Sequence, residues 1–85
     1  MSIRVLISDD SDVMRTAIVR TLQADPALEV VGEAASFAET LKQASTLNPD
    51  IVLLDLHMPD ESRYLPEIVK GSLLENSGRI LAISV

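Results

Sequence analysis

The sequence contains no cysteine, which excludes disulfides and thiolate metal sites and is typical of a reducing compartment. Long apolar runs are also missing. No segment approaches the length of a membrane-spanning helix, and the apolar stretch near the N-terminus is far too short for a secretory signal. We therefore expect a cytoplasmic protein that makes no contact with a membrane.

Basic residues are scarce, since seven Lys and Arg stand against thirteen Asp and Glu and give a net charge of −6. Such a surface is repelled by phosphate backbones and by anionic lipid, so direct contact with nucleic acid is not expected. The 85 residues allow one domain at most. Their hydrophobic content of 47% is ordinary for a globular chain with a small core.

Four short apolar runs predict β-strands. They lie at residues 3–8, 28–34, 51–54 and 79–85. The first run fits a strand buried on both faces, and the third is the most hydrophobic and ends in Asp55. Gly32 weakens the second strand, which we therefore place at an edge of the sheet.

The segments between these strands predict three helices. Ser11 and Asp12 can cap the first, whose apolar side carries Val13, Met14, Ala17, Ile18 and Leu22. A capping box at residues 36–39 opens the second, which closes at residues 48–50. The third begins near Leu65 and Pro66, because proline is favoured in a first helical turn, and Gly71 weakens its middle.

The order βαβαβαβ predicts an α/β fold with a doubly wound parallel sheet and right-handed crossovers. In such sheets, ligands bind beyond the carboxyl ends of the strands. Those ends carry Asp9, Asp10, Asp55 and Ser84. We therefore expect three acids and a hydroxyl to converge on one small area.

Crowded carboxylates repel one another unless a cation or a proton intervenes. Magnesium fits such a cluster, because it prefers oxygen ligands and binds through one or two carboxylates together with water and phosphate oxygens. A carboxylate beside bound magnesium can attack phosphorus and form an aspartyl phosphate.

Each of these residues also has an ordinary structural interpretation. Asp10 or Asp12 alone is most simply a helix N-cap, and a single acid after a buried strand is often just solvated. Ser84 alone carries almost no information. His57 is interpreted as an exposed loop residue, of which only the main-chain carbonyl is placed to help a metal. A functional site is favoured because chance would have to bring three acids to the same edge.

Three blocks of residues resemble the receiver domain of response regulators, a CheY-like family of two-component regulatory systems. They are the Asp9-Asp10 pair, the run Ile51-Val52-Leu53-Leu54-Asp55-Leu56-His57-Met58-Pro59, and Ile80-Leu81-Ala82-Ile83-Ser84. The resemblance implies a flavodoxin-like fold with strand order 2-1-3-4. The segment at residues 28–34 is similar to the subgroup that is joined to helix-turn-helix output domains and regulates transcription.

The resemblance also implies a role for each matching residue. Asp55 would accept a phosphoryl group from a histidine kinase, which makes the chain a phosphoprotein in signal transduction. Asp10 and Asp55 would hold Mg²⁺ directly, Asp9 would act mainly through water, and His57 would offer its main-chain carbonyl. Ser84 stands at the position of the hydroxyl that turns toward the phosphoryl group on activation.

The chain departs from the family pattern in two respects. Arg63 replaces a usual glycine, so we expect the loop after Asp55 to follow another path. The resemblance also ends after the fourth strand, so residues 1–85 form a partial receiver without the fifth strand, its lysine and the last two helices. Lys42 and Lys70 belong to helical segments and cannot replace that lysine.

These departures lead to expectations about activity and assembly. We expect weak phosphorylation or none, no enzymatic activity, and an output domain on a longer parent chain. We also expect a homodimer, formed through an exposed fourth strand or through swapped elements.

Two other functions remain open. An aspartate-nucleophile phosphohydrolase would have a similar fold and first chemical step, but such enzymes place a second acid where His57 stands. A pure interaction or assembly module would carry the same acids without using them.

Overall fold

The computed structural model describes residues 2–55, 58–60 and 79–83. Within these residues the elements are β1 (Ile3–Ser8), α1 (Asp12–Gln23), β2 (Leu28–Ala34), α2 (Phe37–Leu47), β3 (Ile51–Asp55) and β4 (Arg79–Ile83). The predicted third helix, Arg63, His57, Ser84 and Val85 lie outside the described residues.

The four strands form one parallel sheet in the order β2-β1-β3-β4. This confirms the flavodoxin-like order and places β2, with its glycine, at an edge as expected. Ser8 lies beside Ala34 on one side and Leu54 on the other. The register therefore brings the carboxyl ends of β1, β2 and β3 to one edge of the sheet.

The core lies between the sheet and α2. Its buried members are Leu6, Phe37, Ala44, Val52, Leu54 and Met58. Phe37, Thr40 and Ala44 recur at helical spacing, so α2 turns one continuous buried face toward the strands. The predicted burial of the first strand is confirmed, because β1 is fully buried from Val5 to Ser8.

The apolar side predicted for α1 is only partly correct. Ile18 and Leu22 are half-buried, but Ala17 is exposed and Val13 and Met14 are 79% and 45% exposed. Val13 lies roughly 140° around the helix from Ile18, so the two cannot share a face. The side turned inward consists instead of Arg15, Ile18, Val19 and Leu22.

Gly32 allows α2 to approach the sheet closely. A Cβ atom there would lie 2.5 Å from Oε1 of Gln43, 2.8 Å from Cδ1 of Leu47 and 3.2 Å from Cδ1 of Leu6. The first two distances are shorter than real contacts allow. The glycine that weakens the edge strand therefore leaves room for the ends of the Gln43 and Leu47 side chains of α2.

The C-terminal end of α2 is fixed against β1. Asn48 adopts the left-handed conformation at φ 48°, which ends the helix. Nη1 of Arg4 donates to the carbonyls of Leu47 and Asn48 at 2.6 and 3.1 Å. The backbone N–H of Arg4 donates to the Asp50 carboxylate at 2.9 Å, so the loop before β3 is tied to β1. None of the described helices is long and apolar enough to cross a membrane.

Candidate functional site

Three carboxylates meet at the carboxyl edge of the sheet. Asp9 and Asp10 follow β1, and Asp55 ends the neighbouring strand β3. Each offers a carboxylate oxygen, and these three oxygens lie within 4.8 Å of one another. The convergence of the three acids that was expected from the strand ends is therefore present in the structure.

The three acids differ in exposure. Asp9 is buried at 8% exposure, Asp55 is half-buried and Asp10 is exposed. Water therefore reaches the cluster from the side of Asp10, while Asp9 forms its inner wall. The mutual repulsion of the carboxylates is screened least at Asp9 and most at Asp10.

Asp9 is held in place by its own backbone and side chain. Its N–H donates to the carbonyl of Ala34 at 3.0 Å, and its Oδ1 accepts from the N–H of Ser11 at 2.9 Å. The first bond continues the β1–β2 pairing beyond the end of β1. The second closes a tight turn that leads directly into α1.

Neither Asp10 nor Asp12 caps α1. The N-cap is Ser11, whose Oγ accepts from the N–H of Met14 at 3.3 Å. The predicted cap at Ser11 is therefore confirmed, and the capping interpretation of the two acids is wrong, because the hydroxyl between them takes that position. Asp12 instead forms an ion pair with Arg15 in the first turn of the helix.

Arg15 is a residue that sequence reasoning missed. Its Nη1 donates to the main-chain carbonyl of Asp9 at 2.7 Å, its Nε to Glu33 at 3.2 Å, and its Nη2 to Asp12. The hydrogen bond to Asp12 raises the pKa of the guanidinium, against the opposing effect of burial, and Glu33 adds to the rise. The available signal was its spacing from Ile18, Val19 and Leu22, which places it on the inward side of α1.

The segment after β3 is attached to α2. Met58 is buried in the core, and the carboxylate of Asp60 accepts from the N–H groups of Phe37 at 2.9 Å and Ala38 at 3.0 Å. Sequence spacing gives no signal of this contact, because it joins residues 23 positions apart. The turn next to Asp55 is thereby fixed to the start of α2.

The donor set suits a hard divalent cation. Oxygen atoms of three carboxylates, one of them exposed to water, match the ligands that Mg²⁺ prefers, and no sulfur or ring nitrogen competes among these three residues. Asp9, Asp10 and Asp55 therefore fit the predicted metal site. His57 and Ser84, the other two predicted site residues, lie outside the described residues.

Residues 5–70 match the model of the response regulator receiver domain. The chain belongs to this family. A receiver sequence over most of its length explains both the parallel sheet and the acids at its edge.

Similar proteins include receivers with different outputs. The chain is 53% identical over 58 residues to a protein-glutamate methylesterase/protein-glutamine glutaminase of Koribacter versatilis, and 53% identical over 57 residues to the response regulator GacA of Pseudomonas viridiflava. These matches cover 68% and 67% of this receiver chain but 16% and 27% of the relatives. The chain thus corresponds to a minor part of each relative's length.

Solved receiver structures share the fold. The isolated receiver domain of RcsB from Salmonella enterica superposes with a TM-score of 0.83 at 20% identity, covering 99% of this chain and 62% of that one. The response regulator domain of Thermotoga maritima CheB gives a TM-score of 0.71 at 25% identity, covering 96% and 78%. The described elements are therefore those of a receiver.

Proposed function

We propose that this chain is the phospho-accepting part of a two-component response regulator, with Asp55 as the acceptor. The observation that carries the proposal is the meeting of three carboxylates at the end of β3, within 4.8 Å of one another. A structural role for these acids would not require them to lie so close, since carboxylates without a cation repel each other.

The chemistry assigned to the chain is nucleophilic attack by a carboxylate oxygen of Asp55 on phosphorus. A new O–P bond forms, and the N–P bond of a phosphohistidine donor breaks with its electron pair returning to the imidazole. Asp10 and Asp55 would hold Mg²⁺ directly and Asp9 mainly through water, and the ion would supply positive charge against the phosphoryl oxygens. The Asp9 carboxylate is fixed by the N–H of Ser11, and Asp60 ties the turn after β3 to α2, so both loops beside the cluster are anchored.

We also propose a phosphoryl donor, an output domain and an oligomeric state for this chain. We assign the phosphoryl donor to a histidine kinase in the cytoplasm. The matches cover 16% of the methylesterase and 27% of GacA, which supports an output domain on a longer parent chain, and the equal identity of 53% favours neither relative. Dimerisation through the fourth strand stays a prediction; β4 lies at one end of the described sheet, paired with β3.

The test is phosphorylation by acetyl phosphate with Mg²⁺, followed by intact mass and by borohydride reduction, which converts an aspartyl phosphate into homoserine. We expect slow and incomplete labelling that is confined to Asp55 and is lost in Asp55→Asn or in EDTA. Glu29→Gln is the matched control, because Glu29 is an acid on β2 near the opposite end of the strands. Label that persists in Asp55→Asn would refute the assignment.

A further inference from the structure

We propose that Arg15 is a positioning residue of the acidic cluster, which it serves by holding the peptide between Asp9 and Asp10. This inference rests on the proposed function, because the cluster is the proposed Mg²⁺ site. The contact that carries it is the 2.7 Å hydrogen bond from Nη1 of Arg15 to the main-chain carbonyl of Asp9.

That carbonyl belongs to the one peptide unit that joins the two acids. A peptide is planar, so fixing the direction of its carbonyl fixes the plane from which both Cα atoms project. The preceding peptide is held through the N–H of Asp9, which donates to Ala34. Without Arg15, the plane between Asp9 and Asp10 would lose its described anchor on the carbonyl side.

The guanidinium is itself held from two further directions. Glu33, near the end of β2, accepts from Nε, and Asp12, on the first turn of α1, accepts from Nη2. The Arg15 side chain is 15% exposed and its hydrogen bond to Asp9 is partly buried, whereas the carboxylates of Asp12 and Glu33 are open to water. Arg15 therefore links β2, α1 and the turn that carries two of the three acids.

We expect Arg15 to act by orienting the peptide between Asp9 and Asp10, and not by adding positive charge beside the carboxylates. Two carboxylates already accompany the single positive charge of Arg15, so little of it is left to neutralise the cluster. The three contacts use three nitrogens of one planar group. A lysine keeps the charge, but its three N–H donors share one nitrogen, so it cannot reproduce contacts that use three nitrogens of a planar group.

The test compares Arg15→Lys and Arg15→Gln with the unsubstituted chain by NMR. In the metal-free proteins we expect both substitutions to move the carbonyl ¹³C resonance of Asp9 and the amide ¹⁵N resonance of Asp10, which report on the same peptide. In a Mg²⁺ titration followed at the amides of Asp9, Asp10 and Asp55, both should weaken binding roughly tenfold, as loss of an outer partner of a metal ligand does.

Two control variants separate orientation from charge and from general stability. Arg20→Gln removes the same charge from the exposed last turn of α1 and should leave Mg²⁺ affinity unchanged. Glu33→Gln breaks one ion pair of Arg15 but not its bond to Asp9, and should have a much smaller effect than Arg15→Lys. If Arg15→Gln does not fold, Arg15→Lys with these controls decides the question.

The outcomes for the two proposals are distinct. If the unsubstituted chain binds Mg²⁺ and Arg15→Lys binds it equally well, the positioning role is overturned while the proposed function stands. If the unsubstituted chain shows no response to Mg²⁺, the proposed metal site fails. The positioning role is then decided by the Asp9 carbonyl ¹³C and Asp10 amide ¹⁵N resonances of the metal-free proteins. If Arg15→Lys leaves both resonances unchanged, the positioning role is overturned.

Discussion

The carboxylate of Asp60 accepts a hydrogen bond at 2.9 Å from the backbone N–H of Phe37, 23 residues earlier in the chain. Its second oxygen accepts from the next N–H at 3.0 Å. The first turn of a helix has N–H groups without helical partners and favours a nearby negative charge. The turn beyond Asp55 thus supplies part of the cap of α2.

We predict that Asp60→Ala lowers the free energy of unfolding by about 1 kcal/mol, the usual cost of a lost cap. Asp60→Asn should cost less, because it keeps one acceptor. Amide hydrogen exchange should quicken at Phe37 and Ala38 in Asp60→Ala. The control is Glu29→Ala, an exposed acid on β2. Unchanged exchange at both amides would contradict the capping role.

The local parts of α2 could be predicted, but its distant contacts could not. Ser36 and Glu39 form a capping pair as expected, although Glu39 accepts from the N–H of Ala35 rather than that of Ser36. Such pairs depend on residues three or four apart, which the sequence displays. The Asp60 cap depends on how β3 lies beside β1 and α2, which only the folded chain determines.

The acidic cluster shows the same division. Its three acids could be predicted, because parallel strands bring their carboxyl ends to one edge. The spacing of Arg15 puts it on the inward side of α1, but its role could not be predicted, since its acceptors on Asp12, Glu33 and the Asp9 carbonyl are brought together only by folding. The prediction that Val13 lies on the apolar side of α1 was wrong, because the inward side of the first turns is occupied by Arg15 and not by an apolar residue.

We predict that Gly32→Ala destabilises the fold by about 1 kcal/mol, the low end for overpacking, because the flexible ends of the Gln43 and Leu47 side chains must move aside for the added methyl group. Urea unfolding measures the loss. In a Gln43→Ala background the same substitution should cost less, since one of the two clashing side chains is then gone. An equal cost in both backgrounds would show that the Gln43 contact does not limit the approach of α2.

At Asn48, in contrast to position 32, we predict that a change to glycine does not destabilise the fold. Its φ of 48° is costly for most residues and free of strain for glycine. Asn48→Gly should therefore leave stability unchanged or raise it slightly, whereas Asn48→Ala should lower it by about 1 kcal/mol. Thermal unfolding of the pair measures the difference, and a more stable alanine variant would contradict the assigned conformation.

The hydroxyls of Thr40 and Ser8 form a buried hydrogen bond of 2.8 Å between α2 and β1. Thr40→Val should cost about 1–3 kcal/mol, because it leaves the Ser8 hydroxyl buried without this partner. In the double variant with Ser8→Ala the cost should be smaller than the sum of the two single costs. Strict additivity, measured by urea unfolding, would mean that the two hydroxyls are not coupled.

Asp10→Asn should change the stability of the chain in opposite directions without and with Mg²⁺, because Asp10 belongs to the carboxylate cluster. Without the ion, Asp10→Asn removes one repelling charge and should raise the urea midpoint above that of the unsubstituted chain. With Mg²⁺ the order should invert, because an ion that binds only the folded chain adds about 2.7 kcal/mol at a hundred times its dissociation constant, and the variant binds it less tightly.

The measurement is two urea unfolding curves for each protein, one in EDTA and one in excess Mg²⁺. Glu29→Gln should follow the unsubstituted chain in both, since its carboxylate lies outside the cluster. If Asp10→Asn lowers the midpoint in EDTA as well, the carboxylates do not repel one another in the folded chain, and an ion is not needed to hold them together.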